Sequence, residues 1–138
     1  MSFSKSFFSG LIAGIVIAVT YALQFQFWTM FFPEFFPLFD SKIFVQGDFP
    51  LHFFATLVWG IIFGFIYSKI NLIFHGSSNS VALQFALMMW FAAIIPMLLF
   101  FVFLIQITQT ILLFWAISFL VSFILASLAL VRFYEKLP

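Results

Sequence analysis

Apolar residues run along this chain in long blocks, and the polar positions between them are few enough to name. No Asp, Glu, Lys, Arg or His falls between Ser6 and Pro33, only His52 falls between Phe49 and Ser68, and none falls between Gly76 and Val131. A helix needs roughly 20 apolar residues to cross ~30 Å of hydrocarbon. The first block therefore predicts one span at about 7–28 and the second one at about 50–69. The third block is long enough for two. Cutting it at Pro96 would leave a short helix, whereas Gln106-Ile107-Thr108-Gln109-Thr110 has four polar residues in five and adequate apolar runs on both sides. The spans are thus predicted at about 81–105 and 110–133, joined by a tight turn. Pro96 should kink the third helix, which membranes tolerate when neighbours satisfy the freed carbonyl. The expected fold is an all-α integral membrane protein, a single four-span domain over residues 1–138 with its helices in an antiparallel bundle.

The small residues have a period of their own. The first span carries Ser6, Gly10, Gly14, Ala18 and Ala22, and the second carries Thr56, Gly60, Gly64 and Ser68, one small residue every fourth position. Lipid chains are as apolar as leucine, so membrane helices associate by close backbone approach, which such ladders permit. The first two spans are expected to pack together through them; self-association with a second copy or a partner is the competing use. The fourth span has a lesser ladder, Ser118, Ser122 and Ala126, and no glycine follows Gly76. The two halves therefore do not resemble each other, which weighs against an inverted-repeat transporter.

Composition sharpens this picture. Of the 138 residues, 66% are apolar and 7% charged, against about 45–50% and about 25% in soluble domains. With five Lys/Arg and a formal charge of +1, the chain has too few cations to neutralise a run of phosphates, so nucleic acid is excluded as a partner. The absence of cysteine removes disulfides, thiolate metal sites and thiol nucleophiles together. Lys5, Lys69, Arg132 and Lys136 flank one side of the predicted bundle and Lys42 alone the other, which by the positive-inside rule puts both termini in the cytoplasm of a bacterial-type inner or plasma membrane. A cleaved signal peptide is the rival reading of the first span, but its apolar run continues to about residue 28 without an A-x-A-type site.

Candidate chemistry is sparse. Coupled carriers keep ionisable groups inside their spans, and no span here holds a charge near its centre. His52 and His75 are 23 residues apart, or ~34 Å along a helix, too far to share one haem. Asp48 and His52 have a one-face spacing, but Asp48 just before Pro50 reads as a helix N-cap, and no third metal ligand is evident. Neither metal nor cofactor is expected, and nothing supplies a nucleophile with its base or a phosphate loop, so the chain reads as a non-enzyme. Gln24, Gln26, Asp48, His52, Gln106 and Gln109 would lie at one depth near the outer ends, where they face interfacial water or hold a lipophile such as a lipid or quinone. Trp59 and Trp90 lie inside the spans, where each indole N–H needs an acceptor, and both are expected to point into the bundle or at a ligand or partner, core packing being the leading reading. The span count resembles that of small multidrug exporters, whose intramembrane carboxylate is missing here.

The segment between the first two spans is the least ordinary. Phe31-Phe32-Pro33-Glu34 is followed by Phe35-Phe36-Pro37-Leu38-Phe39, and 11 of the chain's 26 Phe fall between Phe25 and Phe54. A patch of that kind marks an interaction surface. Phe31, Phe32, Phe35, Phe36 and Phe39 are therefore expected to lie in the outer interface under lipid or a neighbouring subunit. The leading functional expectation is a non-catalytic accessory or structural subunit of a larger integral membrane complex, with membrane lipids and other integral subunits, or further copies of itself, as partners. A binder or carrier of a lipophilic molecule is the alternative, and a small channel or transporter the third.

Overall fold

The computed structural model describes residues 3–33, 49–104 and 109–138, apart from the side chains at 49, 52, 101, 103, 104 and 109–111. Among the described residues there is no strand. The first helix, α1, is Phe3–Phe31, and α2 is Phe49–Ile70. The third apolar stretch is a composite: α3 is Ser78–Met89, a π-helical turn covers Trp90–Ile94, and α4 is Ile95–Leu104. The last helix, α5, is Gln109–Lys136. Four helical stretches are long and apolar enough to cross a membrane. At 1.5 Å per residue the 29 residues of α1 reach ~44 Å, the thickness of a bilayer with its head groups, so the helix extends past the expected 7–28 span at both ends.

Local chemistry explains the boundaries. After α2 the chain makes a single 3₁₀ turn, Asn71–Ile73. Gly76 follows with a φ of 116°, a left-handed conformation that a Cβ would strain. Ser77 then caps α3, its hydroxyl accepting from the Ser80 N–H at 3.5 Å. Proline has no N–H, and its ring crowds the carbonyl four residues back. The chain widens into the π turn immediately before Pro96, so the break expected at this proline takes the form of one π-helical turn rather than a simple bend.

The last helix, α5, with only a lesser small-residue ladder, is the most enclosed: half of its most apolar stretch is buried, against a third or less in the others. One face of α5 receives α1, with Tyr21 stacked on Phe119 at 5.7 Å and Trp28 edge-on to Phe114 at 4.5 Å. Another receives α3, whose Val81, Ala82, Phe85, Ala86 and Met89 are buried. Phe63 of α2 closes the centre, edge-on to both Phe85 at 5.8 Å and Phe123 at 4.8 Å. Edge-to-face pairs of this kind each add about 0.5–1.5 kcal/mol beyond the area they bury. The larger buried cluster reaches the end of the molecule that holds both described chain ends, where Tyr67, Phe85 and Tyr134 meet, and a smaller one of Leu112, Phe114 and Trp115 packs with Trp28 at the other end.

Candidate functional site

The first two glycine ladders meet within the chain. A Cβ on Gly10 would lie 2.6 Å from the Gly60 carbonyl oxygen and 2.8 Å from Ile61 Cα, and one on Gly14 would lie 2.7 Å from the Thr56 carbonyl oxygen and from Leu57 Cα. From the other side, a Cβ on Gly60 would strike the Gly14 backbone, and one on Gly64 the Ser6 carbonyl oxygen. As the numbers rise along α1 they fall along α2. The hydroxyls of Thr56 and Ser68 turn back onto their own helix, donating to the Phe53 and Phe65 carbonyls at 2.8 Å each. Ala18 stands apart from this seam. It is only half-buried, and with Val19, Ala22, Leu23, Gln26 and Phe53 it lines a gap of about 200 Å³. The helices touch from Ser6 to Gly14 and part above that level.

The polar residues expected to share one outer site are distributed differently. Gln24 turns to α5, its Nε2 donating to the Ser122 hydroxyl at 2.9 Å and the Ser118 carbonyl at 3.2 Å, as well as to its own Thr20 carbonyl. Gln26 is exposed and faces the gap beside Phe53. The structure does not bring these two together. Asp48 and Gln106 lie outside the described residues, as do the side chains of His52 and Gln109 and all of Phe35, Phe36 and Phe39. Phe31 and Phe32 are described and exposed, at 58% and 38%, each with its ring against an α1 neighbour, Phe27 and Trp28. Among the described residues no three His, Cys, Asp or Glu side chains come together.

The two mid-span tryptophans differ. Trp90 turns inward, its indole N–H donating to the Ala116 carbonyl of α5 at 2.9 Å from the first residue of the π turn. Trp59 does not pack into the core, the leading of its two expected placements. It is 47% exposed, although Phe63, four residues on, is fully buried and their rings meet edge to face at 6.2 Å. Toward the start of α2, positions 50, 51 and 53–55 are all exposed, and the Trp59 indole N–H has no hydrogen-bond partner among the described residues.

Periodicity did not reveal two further arrangements. At the end near both termini, Lys5 Nζ lies 5.3 Å over the Tyr134 ring, Ser78 donates to the Glu135 carboxylate at 2.8 Å, and Arg132 Nη2 donates to Asn79 Oδ1 at 3.0 Å. Beside them a groove of about 450 Å³ runs between α1 and α5, from Val16 and Thr20 past Leu125, Leu128, Ala129 and Phe133 to Arg132 and Lys136. The sequence signal for it was the i, i+4 spacing of Arg132 and Lys136, which puts two cations on one helix face at the end of an apolar run. No protein-family model matches the chain, and neither a curated protein nor a solved structure shows significant similarity to it.

Proposed function

We propose that the chain is a non-catalytic accessory or structural subunit of a larger integral membrane complex, an antiparallel four-span bundle with both termini in the cytoplasm of a bacterial-type inner or plasma membrane. Trp59 carries this reading. It stands near the middle of α2, roughly 15 Å from either helix end, too deep for the interfacial belt that usually holds tryptophan. The residue is about half exposed and its indole N–H has no acceptor among the described residues; in hydrocarbon no water would supply one, and an unpaired polar group there costs several kcal/mol. A carbonyl or side chain of a neighbouring subunit is the acceptor that resolves this. The glycine seam supports the same reading, because α1 and α2 already occupy each other's small-residue faces. A partner is then left the outer half of α2: Leu51, Phe54, Val58 and Trp59.

Purification in mild detergent, with mass spectrometry of whatever co-elutes, tests the proposal. A stoichiometric larger membrane protein is expected, and Trp59→Phe should lower its retention while leaving the helical content unchanged. A lone monomer or homodimer from native membranes would refute the accessory role. The second reading, a binder of a lipid or quinone, is favoured by the gap between α1 and Phe53, which is apolar except for Gln26 at its rim. That reading predicts a co-purifying lipophile whose amount falls in Gln26→Leu and is unaffected by Trp59→Phe.

A further inference from the structure

The groove between α1 and α5 has the two-part chemistry of a phospholipid. Its walls are Val16 and Thr20 on one helix and Leu125, Leu128 and Ala129 on the other. The Thr20 hydroxyl is already satisfied by the Val16 carbonyl at 2.6 Å, so it presents little unmet polarity to an acyl chain. The groove ends at Arg132 and Lys136, both exposed and both lining it. The neighbouring acid does not cancel them: Glu135 is turned away onto the Ser78 hydroxyl of α3. Arg132 is steadied by one bond to Asn79, which uses one of its five N–H donors and leaves the guanidinium charge intact. A volume of about 450 Å³ accommodates a segment of acyl chain rather than a whole lipid.

We propose that this groove binds one anionic phospholipid of the leaflet on the side of the termini, an acyl chain lying between α1 and α5 and the phosphate held by Arg132 and Lys136. Charge selects the occupant. A zwitterionic lipid would fill the apolar part equally well but brings its own cation to the two side chains. Cations near a membrane surface contribute about 1 kcal/mol each toward anionic lipid. The pair should therefore favour anionic over zwitterionic lipid by about 30-fold, the equivalent of about 2 kcal/mol at 1.4 kcal/mol per tenfold. The site is independent of the accessory role, because it lies on α1 and α5 whereas the proposed partner surface lies on α2.

The test is native mass spectrometry of the detergent-solubilised full chain titrated separately with phosphatidylglycerol and phosphatidylcholine of identical acyl chains. One bound phosphatidylglycerol per chain is expected, at about 30-fold lower concentration than phosphatidylcholine. Arg132→Gln with Lys136→Gln should abolish that preference, and Lys136→Gln alone should remove part of it. Lys69→Gln, which removes a cation outside the groove, should leave it unchanged. Ala129→Trp, which fills the groove and keeps both cations, should weaken both lipids. Asn79→Ala reports whether any loss in the Arg132 variant comes from a disturbed helix pair rather than a lost charge. Equal affinity for the two lipids in the unmodified chain would overturn the proposal. So would a loss in Lys69→Gln as large as in the double variant, or binding of glycerol 1-phosphate as tight as that of the lipid.

Discussion

At the scale of single residues, the buried serines of α5 separate a hydrogen bond that stabilises from one that was never made. Ser118, Ser122 and Ser127 are all fully buried. The Ser122 hydroxyl accepts from Gln24, whereas the Ser118 and Ser127 hydroxyls have no partner. Gln24 reaches Ser118 only through its backbone carbonyl, which any residue would keep. Ser122→Ala should therefore destabilise the fold by about 0.6 kcal/mol, the usual worth of an interhelical bond in a membrane. Ser118→Ala should be neutral. Ser127→Ala should be neutral or stabilising by up to about 1 kcal/mol, because it removes a desolvated hydroxyl without breaking a bond. Unfolding in mixed micelles, followed by circular dichroism, ranks the three; an equal loss in all of them would mean that small side-chain volume rather than Gln24 is what α5 needs at these positions.

At the scale of the element, the glycine seam shows how far a periodic signal can be read. The spacing of Gly10, Gly14, Gly60 and Gly64 was plain in the sequence, and the structure places those four backbones against each other. The seam's upper end was legible too, had both ladders been read together. The α2 ladder runs out at Thr56, opposite Gly14, so among the described residues Ala18 and Ala22 share a gap with Phe53 of α2. The position of Trp59 was not legible: its four-residue spacing from Phe63 argues for a shared inward face, yet α1 covers Thr56, Leu57 and Gly60 on the adjoining face and leaves Trp59 about half exposed. The form of the break at Pro96 was equally hidden, since proline removes one donor but does not dictate how the preceding turn re-pairs. The seam predicts opposite outcomes at two positions of the same period. Gly60→Ala gains at most about 1 kcal/mol of helix propensity. Its methyl group meets the Gly14 backbone, which no rotamer change can relieve, and overpacking of that kind costs about 1–3 kcal/mol. The clash wins, and a net loss of about 1–2 kcal/mol is expected. Ala18→Leu points into the gap and should change stability by less than about 0.5 kcal/mol. Steric-trap or detergent unfolding of both variants measures the contrast; a destabilising Ala18→Leu would show the seam to be closed along its whole length.

At the scale of the whole molecule, α5 is the element on which the rest depends, and its sequence gives little sign of it. It has no glycine and only a partial small-residue ladder, yet α1 and α3 both pack along it and Phe63 of α2 reaches its centre. Its final turns gather Lys5, Asn79 and Ser78 around Tyr134, Arg132 and Glu135, so the start of α1, the start of α3 and the end of α5 lie at one end of the molecule. This places three cations of the chain, Lys5, Arg132 and Lys136, on a single side, the asymmetry from which the orientation is proposed. The absence of native cysteine makes that orientation directly testable, because any introduced thiol is the sole one in the chain. Ser77→Cys, Leu137→Cys and Lys42→Cys expressed in intact cells should separate cleanly under a membrane-impermeant maleimide. The loop position at 42 should label from outside, and positions 77 and 137 should label only after the membrane is opened. Labelling of 77 and 137 from outside with 42 protected would invert the protein. It would move the proposed lipid groove to the opposite leaflet while leaving its residues and its preference for anionic head groups unchanged. Labelling of 77 without 137 would break the end that Arg132, Asn79, Ser78 and Glu135 hold together, and with it the four-span arrangement itself.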